Sequence, residues 1–327
     1  MKKLLSVCVV LLLVFSSCQR QATPATTAEA VENWPTRGIS VIVTHGAGGD
    51  TDFNARLMSR FLERDLGVPV TLHNVTGANG NIALSRYRNA TPDGYTFIMT
   101  NTSALVGNEV TGISDFGFDA FEVTGIFGIQ SGENVLVSAD SPHRTLADLI
   151  NASIANPNTI RFGFSTGGGV FIAFVIMQEA YGARFIPLDT GDGAARMVSL
   201  LGNHVDATIV PYAIAGEHIR AGSVRALCTL LSVRPDLIPD IPTAGEAGFP
   251  SLVVDTRYVA LAPRGTHSEI VERMNAAMLN IINNDPEFRT EVNRFNLQEP
   301  WGLSVQETIE DLTAQRNLFM SFSDFLQ

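Results

Sequence analysis

The sequence predicts an α/β protein built as two βα domains that face each other across a cleft. Three observations carry this prediction. Apolar runs of strand length alternate with amphipathic helical stretches through both halves of the 327 residues. Polar, glycine-rich loops follow the strands, beginning with Thr44-His45-Gly46-Ala47-Gly48-Gly49-Asp50-Thr51-Asp52. A composition of 45% hydrophobic and 17% charged residues is that of a globular chain with room for two cores.

The N-terminus reads as an export signal over residues 1–17. Lys2 and Lys3 precede the apolar run Leu4 to Phe15, which is too short to span a bilayer comfortably, and Ser16 and Ser17 follow. Cys18 then stands where a bacterial lipoprotein carries its lipid. The chain is therefore expected on the periplasmic side of a bacterial membrane, lipid-anchored at Cys18. An ordinary signal peptide cleaved before Trp34 is the plainer alternative. Residues 18–33 are Ala/Thr-rich without apolar period and read as a tether. Loss of Lys2 and Lys3 leaves 20 basic against 33 acidic side chains, a net charge near −13. With no basic run beyond them, a nucleic-acid partner is excluded. Cys228 lies in an apolar run and reads as a buried thiol without a disulfide partner. No Cys/His cluster has metal-ligand spacing, so neither metal nor cofactor is expected.

The elements follow in order. Ile39 to Thr44 is a strand. Thr51 to Leu66 is a helix with Phe53, Leu57, Phe61 and Leu66 near one face, ended by Gly67. Asp50, Thr51 and Asp52 crowd its first turn, where carboxylates cap orphan N–H groups, the role preferred for Asp52. Strand, glycine loop and helix together aim backbone N–H groups at an anion. His45, Ala47, Gly48, Gly49 and Thr51 are the candidates here. Val68 to His73 is a second strand, and the loop around Asn79, Gly80 and Asn81 opens a helix over 82–89. Tyr95 to Thr100 is a third strand, and Thr102 and Ser103 lie in the small polar loop at its end. Ligands of open parallel sheets bind outside such strand ends. Phe121 to Ile129 and Asn134 to Ser138 are further strands, and Thr145 to Ala155 is a helix.

The rhythm then repeats. Thr159 to Phe164 is a strand followed by Ser165, Thr166, Gly167 and Gly168. Val170 to Tyr181 is apolar nearly all round, so that helix is expected to be buried. Arg184 to Leu188 is a strand, Asp189 stands in the loop after it, and Ala194 to Leu201 is a helix. Val205 to Val210 is a strand carrying Asp206. Pro211 to Ala221 is a helix and Val224 to Leu231 a strand. A short helix is expected near Thr243 to Ala247, a strand over Val253 to Ala262, and a helix over Ser268 to Ile282 capped by Ser268. Helices from Pro286 and Ser304 finish the chain.

An ordered set of motifs resembles one family. Trp34-Pro35-Thr36-Arg37 leads the first strand. Gly46 to Asp52 precedes Ala55-Arg56-Leu57, and Gly77-Ala78-Asn79-Gly80-Asn81-Ile82 follows. Ala90-Thr91-Pro92-Asp93-Gly94-Tyr95, Gly202-Asn203-His204-Val205-Asp206 and Ile241-Pro242-Thr243-Ala244-Gly245-Glu246-Ala247-Gly248-Phe249-Pro250 come in the expected order. The chain resembles the extracytoplasmic substrate-binding receptors of tripartite tricarboxylate transporters. The resemblance implies a type II periplasmic-binding-protein-like fold, with residues 34–132 and 252–327 as domain 1 and 133–251 as domain 2. It implies a monomer that closes on a small organic acid, held mainly by main-chain N–H groups near Gly48 and Gly80, and delivers it to membrane subunits without catalysing a reaction. Departures gather at the cleft. His45 and Arg257 stand where an aromatic is usual, Phe171 and Ile172 replace a His-Leu pair, and Leu188-Asp189-Thr190 replaces a basic loop. Asp189 is accordingly a candidate partner for a ligand amine, with a solvated loop carboxylate or a helix cap as the plainer reading.

One rival is an enzyme. Gly163-Phe164-Ser165-Thr166-Gly167 fits G-x-S-x-G, His45 to Gly49 is similar to a lipase oxyanion loop, and Asp255 and His267 complete a Ser, Asp, His order. Against a serine hydrolase, the oxyanion-type loop follows the first strand and His267 opens a helix rather than lying in a late loop.

Overall fold

The computed structural model describes residues 31–166, 168–235, 238–296 and 299–322. Cys18, the export signal, nearly all of the tether and Gly167 lie outside the described residues.

Two five-stranded sheets form the frame. The first runs β2 (Val70–Asn74), β1 (Ile39–Val43), β3 (Thr96–Asn101), β10 (Arg257–Pro263), β4 (Phe121–Ile129). The second runs β7 (Ile186–Asp189), β6 (Arg161–Phe164), β8 (Ala207–Pro211), β5 (Glu133–Ser138), β9 (Val224–Thr229). β1 is parallel to β2 and β3, with Ile39 beside Val70 and Ser40 beside Thr96. β6 is likewise parallel to β7 and β8. The central strands β1, β3 and β8 are buried nearly throughout, whereas the edge strands β2 and β7 alternate between inside and out.

Neither sheet is purely parallel. β10 is antiparallel to β3 and β4, and β5 is antiparallel to β8 and β9. The connections explain this. Only residues 130–132 join β4 to β5, so β5 must start at the edge where β4 stops. β9 ends at that edge too, and the chain returns to begin β10 there, with Arg257 beside Ile129. Both strands that begin at this edge therefore run against their neighbours.

Helices cover the sheets. α1 (Asp50–Leu66) buries Leu57, Met58, Phe61 and Leu62, and ends at Gly67 in the left-handed conformation. α2 (Asn81–Tyr87) follows β2, and a π-helical turn, Ser103–Gly107, follows β3. α3 (Leu146–Ala155) starts with a capping box between Thr145 and Asp148. α4 (Gly168–Glu179) is buried nearly all round, as its composition predicts, and stacks Phe174 on Phe164 with ring centroids 4.7 Å apart. α5 (Gly193–Leu201) and α6 (Tyr212–Arg220) complete the second half. α7 (Ser268–Asn284), α8 (Pro286–Asn296) and α9 (Val305–Met320) return to the first sheet. α7 is capped by the His267 ring, which accepts from the Glu269 N–H, rather than by Ser268.

Two expected elements differ. Residues 244–248 form a turn, although Thr243 and Glu246 make a reciprocal cap. Gly245, Gly248 and Pro250 stop it from propagating, and Thr243 instead bridges to Thr229. The strand expected from Val253 begins only at Arg257, because residues 252–256 are the crossing between the sheets, held by Val254 N–H to Leu230 O at 2.8 Å. Cys228 is free and buried, and burial pushes its thiol up to about 12.

Candidate functional site

The parallel strands β1, β3, β6 and β7 all deliver their C-terminal loops to the edge where the chain crosses between sheets. The first loop, residues 44–49, is pinned from below. Asp52 is buried and accepts from the Gly48 N–H at 2.9 Å, Arg56 Nε at 2.8 Å and Asn74 Nδ2 at 2.7 Å. Burial opposes its charge, but these hydrogen bonds prevail and hold its carboxyl below the usual range. Gly48 therefore gives its own amide to Asp52. The helix cap is Gly49, and no side chain caps the first turn of α1.

The second loop joins the first through His45, which is hydrogen-bonded to the Asn79 side chain and, through Nδ1, to Thr44 Oγ1 at 2.8 Å. Burial pushes the His45 pKa down despite nearby Asp50, so the ring is neutral at pH 7. Asn79 and Asn108 clasp each other, Nδ2 to Oδ1 at 3.0 Å and Nδ2 to backbone O at 3.0 Å. Asn81 Nδ2 donates to Ile113 O at 3.0 Å. Gly80 has φ +82°, and a Cβ there would lie 3.0 Å from Thr44 Cβ. Asn101 links the third loop to α1, donating to the buried Thr51 hydroxyl at 2.9 Å. Thr102 Oγ1 accepts from Arg257 N at 3.1 Å.

The two halves touch at Ser103, whose hydroxyl accepts from the Gly169 N–H at 3.0 Å. Gly168 sits at φ +71°, and a Cβ there would approach Ser103 Oγ to 2.2 Å and Asn79 Nδ2 to 2.8 Å. Ser165 Oγ accepts from Arg196 Nη1 at 3.2 Å. His45, Asn79, Gly80, Ser103, Ser165 and Gly168 thus belong to one edge, while Ala47, Gly48 and Gly49 stay exposed on the first loop.

Asp189 and Asp206 are placed differently. Asp189 accepts from Thr166 Oγ1 at 2.5 Å, Thr166 N at 3.2 Å and Gly191 N at 3.1 Å. The Thr166 hydroxyl does most to hold its pKa down, and the carboxylate serves as a loop clamp. Asp206 does not join the site. It precedes β8 and pairs bidentately with Arg161, at 2.7 and 3.0 Å, at the opposite end of that sheet. Arg257 turns to Asp311, 3.0 Å away, and Phe171 stacks on Phe164.

The hydrolase triad is not assembled. Ser165 is held by Arg196, Asp255 accepts from Ser232 N and Oγ, and His267 caps α7.

A charged group that the sequence did not single out lies beneath the loops. Arg196, 4% exposed, donates through Nε to Ile209 O at 2.6 Å and through Nη1 to Gly191 O at 2.9 Å. Its Nη2 lies 3.9 Å from Glu133 Oε2. Glu133 is 6% exposed, and burial raises its pKa to about 7 against the pull of Arg196. Asp50, which acts electrostatically on Glu133, accepts from Gln130 Nε2 and from Tyr258 OH at 3.3 Å. The only advance signal was position: Glu133 opens a strand, and Arg196 lies one turn into a helix behind a glycine loop. Cavities of about 250 and 280 Å³ lie elsewhere, one beside Asp255 and Asp311, the other between Phe118 and Val271.

Two α/β halves joined by crossing strands, with loops converging between them, define the periplasmic binding-protein class. Rpa4515 of R. palustris, solved with adipate, superposes with a TM-score of 0.79 at 25% identity, covering 90% of this chain and 98% of that one. MatC of Rhodopseudomonas palustris, solved with bound malate, shares the fold at a TM-score of 0.73 and 23% identity, over 90% of this chain and 100% of its own. Protein BugT of Bordetella pertussis is 30% identical over 251 residues, 75% of this chain and 76% of its own. Residues 54–317 match the tripartite tricarboxylate transporter family receptor, TctC, and the chain belongs to that family of solute-binding receptors.

Proposed function

We propose that the chain is an extracytoplasmic receptor that captures a small carboxylate between its two halves and delivers it to the membrane subunits of a tripartite transporter. The carrying observation is the Ser103 to Gly169 contact, which brings the loops of both halves to one edge. The uncapped first turn of α1 and the loop around Asn79 and Gly80 supply N–H groups for the carboxylate. His45, Ala47, Gly49, Thr51, Asn79, Gly80, Asn81, Thr102, Ser103, Ser165, Thr166 and Gly168 line or brace the ligand, and Gly48 and Asp52 set the first loop. Adipate and malate in the two related structures support the ligand class.

Residues 34–132 with 252–327, and 133–251, act as the two closing domains, and ligand stabilises the closed state. Cleavage before Cys18 and its lipidation anchor a monomeric receptor outside the cytoplasm. Mass spectrometry of the mature protein and of Cys18→Ser tests the anchor. The binding test is thermal unfolding of the chain from Val31 onward, with di- and tricarboxylates. A ligand at 100 times its Kd adds about 2.7 kcal/mol. Saturable stabilisation without ester turnover supports the reading; turnover abolished by Ser165→Ala overturns it.

A further inference from the structure

We propose that Asp50, Glu133 and Arg196 form a subsite for an ammonium group, so that the ligand is a carboxylate that also bears an amine. This rests on the receptor reading above and names the second end of its ligand.

The three residues come from three elements at the crossing edge: Asp50 begins α1, Glu133 begins β5, and Arg196 lies in α5. Glu133 Oε2 is buried without a hydrogen-bond partner. Arg196 does not satisfy it. The 3.9 Å separation is beyond hydrogen-bond reach, and three of the guanidinium N–H groups serve Ile209 O, Gly191 O and Ser165 Oγ. Asp50 acts on the same centre, with an electrostatic influence on Glu133, Arg196 and Tyr258. Four carboxylates act on the one guanidinium, those of Glu133, Asp192, Asp50 and Asp189, and neutral His45 adds no charge. With Glu133 ionised, Asp50, Glu133 and Arg196 are together one positive charge short of balance. A buried carboxylate oxygen without a donor is costly.

An organic ammonium supplies both missing elements, a positive charge and N–H donors. A metal ion is the poorer fit, since the described residues contain no set of three or more His, Cys, Asp or Glu side chains able to hold one. Asp189 is also the poorer amine partner, because Thr166 and Gly191 already occupy its oxygens. Asp50 belongs to the first half and Glu133 to the second, so an ammonium between them bridges the halves while the loops take the carboxylate.

Protonation gives an independent readout. The titratable groups facing Glu133 are Arg196 from α5, Asp50 from α1 and the neutral Tyr258 hydroxyl from β10. Burial keeps Glu133 partly protonated near pH 7. An arriving ammonium favours the carboxylate and expels that proton.

The experiment is calorimetric titration of the chain from Val31 with L-aspartate against succinate and L-glutamate against glutarate. It is run on the native sequence, Glu133→Gln and Asp50→Asn, in buffers of differing ionisation enthalpy at pH 6.5. Melting curves confirm that the variants fold. The expected result is at least tenfold tighter binding of an amino diacid than of its partner, with proton release. Glu133→Gln abolishes the proton release, and both variants lose the preference while keeping the des-amino acid. Equal or tighter binding of the des-amino acids overturns the ammonium subsite and leaves the receptor reading standing. A preference for the amine that survives both substitutions also overturns it. If neither class binds and other carboxylates fail as well, the receptor reading falls with it.

Discussion

Gly107 and Gly168 meet backbone to backbone: a Cβ on Gly107 would lie 2.8 Å from the Gly168 Cα. The two halves come this close only because neither residue has a side chain. Gly107→Ala is expected to wedge them apart. Ligand-induced stabilisation should fall by at least half in thermal unfolding. An unchanged ligand shift would show that the halves do not meet this way when ligand is bound.

Asp52 ties the first loop to α1 and β2. Asp52→Ala removes three hydrogen bonds from a buried carboxylate and is expected to cost about 2–4 kcal/mol in urea unfolding at pH 7. Its folded pKa is depressed, so its contribution is complete above the ordinary 3.8 and is lost as pH falls through the lower folded value. The native protein should lose stability below about pH 4 more steeply than the variant.

Glu133 behaves oppositely. Its folded pKa, about 7, lies above the ordinary 4.5, so the unliganded protein loses stability as pH rises from 4.5 to about 7. Glu133→Gln is expected to flatten that slope and to melt higher than the native protein at pH 8. A subsite that raises stability when its charge is removed has the signature of a ligand-binding group.

The aromatic stack beside the loop that follows β6 is structural. Phe174→Ala is expected to cost about 3–5 kcal/mol in denaturant unfolding.

Asp206→Asn is the control. The pair with Arg161 is more than a third exposed and lies at the far end of the second sheet. Stability should change by at most about 1 kcal/mol, and ligand affinity should stay within twofold by titration.

Much of the frame was legible because its signals are local. The apolar run before Gly46 and the glycine at 67 marked β1 and the end of α1, and the all-round apolar stretch after Gly169 marked a buried helix. Strand direction was not legible for β5 and β10, because it depends on where the chain crosses between sheets. The glycine loops could be read as anion cradles from composition. That Asp52 takes the Gly48 amide could not, since it depends on a side chain folding back four residues. Glu133 and Arg196 left no motif: they are 63 positions apart in sequence, and only the register of β5 against β8 and the packing of α5 bring them together. Asp189 and Asp206 drew attention as charges near loops, and the structure gives each a partner that accounts for it.

The burial of Cys228 has a practical corollary. A chain starting at Val31 carries this one thiol, and a pKa of about 12 leaves it unreactive toward maleimides at neutral pH. Cysteines placed at exposed Ile82 in the first half and Val198 in the second can then take a fluorophore pair without prior removal of the native one. Energy transfer between the dyes would follow the approach of the two halves in real time, one molecule at a time.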